Sequence, residues 1–417
     1  MDHLADAPSA AATRPTGAAA RRADSGQLAV VTFSHAIQHV YVAGLAVAYP
    51  FVVASLHVSY GALGIMLGVA GVVGGLLQAL AGSVRGASAR FLLSVQNFGM
   101  AAASLLGGLA SGFALFGAAR CLGSVVSWPQ HPVGSAVLAE RFPKRRAYAL
   151  SWHVAGGSIG TAVVPLAMSA LIASYGWRVG VVMLAVPTAI GGVLVAWKLA
   201  AQAPERGTNA TGTAKTATRG HRGVLRDIFK SRQARGAMIA GTIAAGGRGL
   251  GTLVVFVPAY LRSGLHLHAI AVGGLFSALV IGSIVGPVLT GRAADRVGRR
   301  RLLLVVYVLG AATIAAFVSV GSDILALGAV GVLVGVFAYS ESPLLQAVFA
   351  DGLGDTGHQK AFGYYFAVSY GIGSVWTIAL GEIIDAAGFH WAFFVMAMSF
   401  VAAALVVWWA RPAVPRP

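Results

Sequence analysis

The chain has 417 residues, of which 57% are hydrophobic and only 10% are charged, and its mean hydropathy is +0.77. A soluble protein of this size carries about 25% charged residues, so the composition excludes an ordinary soluble domain. The net charge of +17 would fit a nucleic-acid-binding protein only if the basic residues formed a binding patch, and their distribution along the chain indicates otherwise. The single cysteine, Cys121, excludes an intrachain disulfide and a thiolate metal cluster.

Long apolar runs recur along almost the whole chain. A bilayer core is about 30 Å thick and needs roughly 20 apolar residues per helix. Because backbone groups in hydrocarbon must satisfy one another, these runs predict an all-α integral membrane protein. The first 27 residues are rich in Ala, Pro and Arg and lack the apolar region of a cleaved signal, so we expect a cytoplasmic tail at 1–27.

Twelve membrane-spanning helices are predicted from the apolar runs between polar breaks. The first six cover residues 28–54, 60–82, 91–110, 112–138, 147–174 and 177–199. The second six cover residues 236–261, 269–291, 301–320, 324–350, 360–387 and 389–410. The polar segment 200–235 is expected to be a cytoplasmic linker. The chain thus divides into a six-helix bundle at 28–199, a second at 236–411 and a short tail at 412–417.

The distribution of basic residues predicts the orientation in the membrane. Of the 30 Lys and Arg, Arg178 and Arg262 fall on loops opposite the termini, and Arg120 and Arg248 fall inside spans. The remaining 26 lie in the tails, loops and linker on the side of the termini. Positively charged loops stay in the cytoplasm during insertion. We therefore expect cytoplasmic termini, a bacterial-type inner (plasma) membrane and no nucleic-acid partner.

The two halves repeat each other at a nearly constant spacing. Pro50 matches Pro258 at an offset of 208, and Gly157 matches Gly371 at an offset of 214, as Trp177 matches Trp391. Two six-span repeats of the same orientation imply a pseudo-two-fold axis along the membrane normal. A binding site is then expected near the midplane, between the halves.

The loop after the eighth span carries the most specific motif. It reads Gly291-Arg-Ala-Ala-Asp295-Arg296-Val-Gly298-Arg299-Arg300-Arg301 and closely resembles the G-x-x-x-D-R-x-G-R-R loop of the major facilitator superfamily. The resemblance implies that superfamily's twelve-helix fold and a conformational latch formed by Gly291, Asp295, Arg296, Gly298 and Arg299. A simple positively charged membrane anchor is the alternative. The equivalent loop at 82–90 has Gly86 where the acid should be, so a one-sided latch is expected.

A finer resemblance lies in spans 1, 4 and 5. The segments Ser34-His35-Ala-Ile-Gln38-His39, His131-Pro132-Val-Gly134-Ser135 and Gly156-Gly157-Ser-Ile-Gly160 resemble the fosmidomycin-resistance branch of exporters. This likeness implies proton-driven export. His39 stands where that branch usually carries an aspartate, so the coupling residue is not carried over.

Ionisable residues inside the spans are the main functional signal. A charge at bilayer depth costs about 2.5–3.5 kcal/mol, so each one needs a partner or a hydrated cavity. Five such residues, His35, His39, Arg120, Arg248 and Glu341, fall in spans 1, 4, 7 and 10. In the superfamily that the motif resembles, these four spans line the central cavity.

In the first half, His35, Gln38 and His39 share one helical face. An ordinary histidine titrates near pH 6.5, so the pair is predicted to carry the coupling proton, or alternatively to pack by hydrogen bonding. No further ligand cluster is evident, so neither a metal nor a cofactor is expected. In span 4, Arg120-Cys-Leu-Gly123 resembles the R-x-x-Q-G pattern of the same superfamily, although the glutamine is missing here. This resemblance implies that Arg120 tunes proton release; the alternative is that its side chain reaches the outer surface.

In the second half, Arg248 lies among four glycines, Gly246, Gly247, Gly249 and Gly251. A guanidinium recognises carboxylate or phosphonate with two hydrogen bonds, which predicts an anchor for an anionic substrate. An ion pair with Glu341 is the alternative, and Glu341 is then either a proton carrier or a counter-ion. Gln38, Glu341 and His153 are the other predicted substrate-binding residues.

These features predict a monomeric, secondary active transporter of a small organic, anionic solute that works by alternating access and is driven by protons. Export by antiport is preferred because of the branch resemblance. The alternatives are a proton-coupled anion uptake symporter and a non-transporting membrane sensor or scaffold. No nucleophile–base pair stands out, so no enzymatic activity is expected.

Overall fold

The structure, a computed structural model, describes residues 18–80, 87–142, 145–199, 221–353 and 358–410. Within these ranges the chain is almost entirely helical and contains no strand. Parts of the expected tails and linker, and part of the loop after span 2, lie outside the described residues.

The first half contains six spans. Span 1 is α1 (Ala18–Leu56), span 2 is α2 (Tyr60–Leu80) and span 3 is α3 (Ala89–Gly108). Span 4 consists of two helices, α4 (Phe113–Val126) and α5 (Gln130–Arg141). Spans 5 and 6 comprise α6 (Arg146–Met183), which turns at Gly176, and α7 (Ala185–Lys198). A short helix, α8 (His221–Lys230), precedes the second half.

The second half repeats this order with different interruptions. Span 7 begins as α9 (Arg232–Ala244) and continues as a short π-helix at Gly249–Leu253. It then passes through α10 (Val254–Ala259) and ends in a second short π-helix at Tyr260–Gly264. Spans 8, 9 and 10 are α11 (Ala269–Val297), α12 (Arg299–Ser319) and α13 (Ile324–Asp351). Span 11 joins α14 (His358–Phe366) to α15 (Val375–Ala387), and span 12 is α16 (Phe389–Trp409).

The described helices confirm the predicted twelve-span fold. Nine of the described segments are long and apolar enough to cross a membrane. One of the nine, Tyr148–Lys198, holds two spans that meet at Gly176, where φ is 83°. Spans 4 and 7 add the remaining two, because breaks divide each of them into helices shorter than a membrane crossing.

The helix boundaries differ most from the predicted ones in two places. The first helix begins at Ala18, inside the expected tail, and α8 occupies part of the expected linker. In α8, Val224 and Ile228 are buried, so four-residue spacing of apolar side chains holds this helix against the bundle although the segment is polar overall. In the motif loop, Gly298 has φ of 89° and joins spans 8 and 9.

The two halves contact each other mainly in the part of the bundle away from the termini. Span 2 packs on span 11 through closely spaced glycines, and span 5 packs on span 8. A Cβ at Gly64 would meet the carbonyl oxygen of Thr377, so the two backbones approach as closely as glycine allows. Between spans 5 and 8, Ser277 Oγ donates to the carbonyl oxygen of Ala162 over 3.4 Å.

Polar contacts also join the halves at the end of the bundle opposite the termini. The backbone N–H groups of Tyr60 and Gly61, at the start of span 2, donate to the carboxylate of Asp385 in span 11 over 2.9 and 2.6 Å. The Tyr60 hydroxyl is hydrogen-bonded to Ser263 Oγ at 2.8 Å. The structure therefore represents a state that is closed on the face opposite the termini.

Candidate functional site

A cluster of histidines lies in the first half, between spans 1, 4 and 5. The ring centroid of His35 lies 4.7 Å from that of His39, 4.9 Å from that of His131 and 4.2 Å from that of His153. His35 and His153 are buried, His39 is partly exposed, and His131 is exposed. The fold thus adds two histidines to the pair that the sequence placed on one face of span 1.

The break in span 4 brings His131 to this cluster. Pro129 and Pro132 lack a backbone N–H and disfavour a continuous helix here: α4 ends at Val126, and α5 starts afresh with His131 in its first turn. The carbonyl oxygen of Ser127 accepts a hydrogen bond from Gln38 Nε2 at 2.9 Å. One of the predicted binding residues therefore holds the break in place.

A buried network fixes the first turn of α5 against spans 1 and 3. Gln130 Oε1 accepts hydrogen bonds from Ser34 Oγ at 2.8 Å and from Gln96 Nε2 at 2.7 Å. Asn97 Nδ2 donates to Ser34 Oγ at 2.8 Å. Because all four side chains are buried and connected, the position of the neighbouring His131 backbone is firmly set.

The hydrogen bonds of His35 and His39 define which ring nitrogens carry lone pairs. His35 Nδ1 lies 2.6 Å from the carbonyl oxygen of His153, which can only accept, so Nδ1 carries the proton. Thr161 Oγ1 donates its hydrogen to the carbonyl oxygen of Gly157 and so accepts from His39 Nδ1 at 2.8 Å. In the neutral rings both Nε2 atoms are therefore acceptors, and that of His35 is buried with no hydrogen-bond partner among the described residues.

A second polar site lies entirely within the other half. Arg248 of span 7 pairs with Glu341 of span 10: Nε donates to Oε2 at 3.0 Å, and an NH2 group of the guanidinium lies 3.3 Å from Oε1. Only 2% of Arg248 and none of Glu341 is exposed. The predicted ion pair with Glu341 is therefore formed in this structure, and Arg248 could anchor an anionic substrate only by releasing Glu341.

The remaining donors of Arg248 are also satisfied. The guanidinium donates to the carbonyl oxygens of Gly241 at 2.6 Å and of Ser369 at 3.2 Å. The Tyr307 hydroxyl donates to Glu341 Oε1 at 3.2 Å, and the Tyr370 ring lies 4.6 Å below the guanidinium carbon. The pair thus ties spans 7, 9, 10 and 11 together.

The glycines around Arg248 explain why the helix of span 7 is interrupted there. A Cβ at Gly249 would overlap the ring of Tyr339, and a Cβ at Gly247 would come within 2.7 Å of the carbonyl oxygen of Met396. The segment therefore passes close to spans 10 and 12 in a non-helical course. Thr252 Oγ1 donates to the freed carbonyl oxygen of Gly246 at 2.7 Å, which replaces a lost helical hydrogen bond.

Arg120 lies apart from both clusters. Its Nε donates to the Tyr49 hydroxyl of span 1 at 3.0 Å, and the side chain is partly exposed. The contact keeps the guanidinium inside the first half. Its role in proton release stays a prediction.

Of the predicted latch residues, Arg299 has a defined partner. Arg299 forms an exposed ion pair with Asp351, at the end of span 10. Gly291 and Arg296 are exposed on the last turns of α11, and the Asp295 side chain lies outside the described part of the chain. The observed contact is therefore within the second half, and the latch between halves stays a prediction.

The structure groups the predicted site residues into two places. His35, Gln38, His39 and His153 share the cluster of the first half, and Arg248 and Glu341 share the ion pair of the second. Sequence analysis missed Asp385 as a contact between halves and did not assign a role to His131. The proline-flanked His131 was visible as part of a motif, but its proximity to span 1 is a product of the fold.

These observations agree with the comparison to known families. The model of the Major Facilitator Superfamily matches residues 31–286 and 237–417. The chain belongs to this superfamily. Its members are transporters rather than enzymes, so the chain is a multi-pass membrane transporter that acts on a small-molecule substrate. The finer resemblance to the fosmidomycin-resistance branch stays a prediction.

One curated relative and two solved structures are informative. The chain is similar to the cis,cis-muconate transport protein of Acinetobacter baylyi, with 26% identity over 219 residues, and the match spans 50% of the length of each chain. The nucleoside transporter NupG has the same fold, with a TM-score of 0.72 and 14% identity over 93% of this chain and 99% of that one. A bacterial homologue of the human lysosomal transporter Spinster, solved in an inward-facing and unoccupied conformation, gives a TM-score of 0.67 and 15% identity over 93% of this chain and 95% of that one.

Proposed function

We propose that this protein is a proton-coupled transporter of small organic carboxylates that works by alternating access. The observation that carries the proposal is the buried pair of Arg248 and Glu341. It is placed in spans 7 and 10, and its arginine offers the two-pronged hydrogen bonding that carboxylates favour. A carboxylate of the chain already occupies that position.

Glu341 couples the substrate to the proton in this proposal. The groups around it are Arg248 of span 7, Tyr307 of span 9, and Tyr365 and Tyr370 of span 11. When Glu341 is protonated, Arg248 loses its counter-charge and becomes available to a substrate carboxylate. Because the arginine can serve only one carboxylate at a time, proton and anion bind together, and such cooperative binding drives symport.

The similarity to a muconate transport protein supports an organic acid as the substrate class. The match spans half of that relative, so the substrate itself is not carried over. Electrostatics favour the same class, because a substrate anion keeps the charge of Arg248 balanced after Glu341 has been neutralised.

Orientation and direction complete the proposal. The excess of basic residues at the ends of the spans near the termini favours cytoplasmic termini in a bacterial inner membrane, so the closed face of this structure points outward. Each chain contains both halves of the transport unit and acts as a monomer. Export by antiport is the second candidate, favoured by the segments of spans 1, 4 and 5 that resemble an exporter branch.

Reconstituted proteoliposomes test the proposal. Muconate and a panel of mono- and dicarboxylates would be added outside, with a pH-sensitive dye trapped inside. We expect saturable carboxylate uptake accompanied by acidification of the lumen. Alkalinisation on substrate entry would establish antiport, and saturable binding without flux would establish a sensor; either result would overturn the symport proposal.

A matched pair of variants tests the role of the ion pair. The single variant Arg248→Gln leaves an unpaired carboxylate, whereas the double variant Arg248→Gln with Glu341→Gln leaves two neutral, hydrogen-bonding side chains. We expect the double variant to fold and to lose uptake. Uptake in the double variant at the wild-type rate would mean that the pair only holds the helices together.

A further inference from the structure

The histidine cluster of the first half has the geometry of a metal site. One ring nitrogen from each of His35, His39 and His131 lies within 4.8 Å of the other two. Imidazole nitrogen is a preferred ligand of zinc and of the neighbouring divalent transition metals. The sequence alone showed only the pair on span 1, which is too few ligands for such a site.

The hydrogen bonds of the cluster leave the lone pairs of two ring nitrogens available to a metal ion. Both span 1 histidines have Nδ1 hydrogen-bonded to an oxygen, of the His153 backbone and of Thr161, which leaves Nε2 with its lone pair. Ligand histidines in metal sites almost always donate their second ring nitrogen in this way, since the bond fixes the tautomer and the ring orientation. Two of the three rings are therefore already oriented as ligands.

The buried nitrogen of His35 is an independent sign of a missing ligand. Only 4% of His35 is exposed, and its Nε2 has no hydrogen-bond partner among the described residues. A buried polar atom without a partner costs about 1–3 kcal/mol, which a bound cation would remove. Space beside the rings exists because residue 157 is glycine: a Cβ there would lie 2.8 Å from the His35 ring and 2.9 Å from His39 Nε2.

We propose that His35, His39 and His131 bind one divalent transition-metal ion in the first half of the transporter. Tetrahedral zinc requires ligand nitrogens about 3.4 Å apart, so the exposed His131 ring turns inward to complete the site. Three neutral histidines leave a fourth position for water or for an anionic oxygen ligand. Because His131 is exposed, the ion has a route of entry.

This proposal does not depend on the proposed transport of carboxylates, because the ligands and the ion pair lie in different halves. The ion sits between spans 1 and 4 of a single half. Its binding is therefore compatible with rocking of one half against the other.

Cobalt(II) titration of the purified protein tests the site directly. The full-length chain would be purified through a tag without histidines and treated with a chelator beforehand. We expect one cobalt ion per chain, with the visible absorption of a tetrahedral ion, and displacement of cobalt by zinc. X-ray absorption of the zinc form should show three imidazole ligands.

Two variants and one control decide the assignment. His39→Gln and His131→Gln should each weaken cobalt binding by roughly tenfold or more. His390→Gln, an exposed histidine at the start of span 12, should leave it unchanged. His131→Gln alters an exposed ring, so misfolding is not expected to obscure the result. Absence of saturable binding in the wild type, or equal affinities in all three variants, would overturn the proposal.

Discussion

The two polar sites of this transporter differ in how completely the protein satisfies them. In the second half, the guanidinium of Arg248 binds Glu341 and two carbonyl oxygens, and both charged side chains are buried. In the first half, the His35 ring keeps an unpartnered nitrogen and contacts the exposed His131 ring. The first-half site needs only a turn of the exposed His131 ring to accept a ligand, whereas in the second-half site Arg248 must release Glu341 before it can bind a substrate.

A second lesson comes from where the two sites lie. Each is built from spans of one half, so rigid rocking of the halves leaves both intact. The contacts between the halves, chiefly those of spans 2 and 11 and of spans 5 and 8, must change between states. Ligand binding at either site can therefore influence the other half through these contacts.

The largest effect is expected from removing one partner of the buried ion pair of Arg248 and Glu341. Arg248→Ala leaves the Glu341 carboxylate buried without its partner, which costs about 3–5 kcal/mol. We expect a loss of that size in the free energy of unfolding, measured by denaturant titration in detergent. The variant carrying both Arg248→Gln and Glu341→Gln should recover most of it. Equal stability of the single and double variants would show that water or another residue replaces the arginine.

An intermediate effect is expected from filling the space beside the rings of His35 and His39. Gly157→Ala places a methyl group against the His35 and His39 rings, which must turn away because both contacts are below 3 Å. We expect cobalt affinity to fall by about 10–100-fold, as for other disturbances of ligand orientation. The free energy of unfolding should fall by no more than about 3 kcal/mol, because the rings can move to make room for the methyl group.

Gly117→Ala in span 4 is the matched control for this change. Its new methyl group would meet only Met66, at an ordinary distance of 3.4 Å. Cobalt affinity should be unchanged in the control. If Gly157→Ala bound cobalt as tightly as the wild type, the rings would not be the ligands.

The fold was predictable from the sequence because bilayer chemistry acts on each helix separately. Apolar runs between polar breaks predicted all twelve spans, and the distribution of basic residues predicted their orientation. The course of span 7 was less accessible. Its glycines predicted close approach, but that Arg248 leaves the helix depends on the rings and carbonyls of spans 10 and 12.

The sites were predictable only as separate residues. The sequence placed His35 and His39 on one face of span 1, and it placed Arg248 and Glu341 in two of the spans expected to line the cavity. It could not bring His131 to span 1, because that contact depends on the break in span 4 and on the Gln130 network. Nor could it show Asp385 as more than an exposed acid near the end of span 11.

The smallest expected effect tests whether metal binding in the first half is independent of the opening of the face opposite the termini. Asp385 caps the first turn of span 2 from the opposite half, and loss of such a cap costs about 0.5–2 kcal/mol. This contact between the halves closes the face opposite the termini and would be lost when that face opens. Asp385→Ala should therefore shift the equilibrium toward the state open on that face by about fivefold, if the cap contributes about 1 kcal/mol. Cobalt affinity should stay at the wild-type value, because no ligand lies in span 2 or span 11.

Spin labels at positions 111 and 322, on exposed loops of the two halves, would report the opening of the face opposite the termini as a longer distance in a Cys121→Ser background. Asp323→Ala supplies the matched control, since Asp323 caps span 10 on the same face but within one half. Both variants lose a helix cap of the same chemistry, so their losses of stability should be similar. Only Asp385→Ala should lengthen the distance distribution. An equal change in both variants would mean that the halves do not move as rigid units, and the separation of the two sites would then lose its mechanical basis.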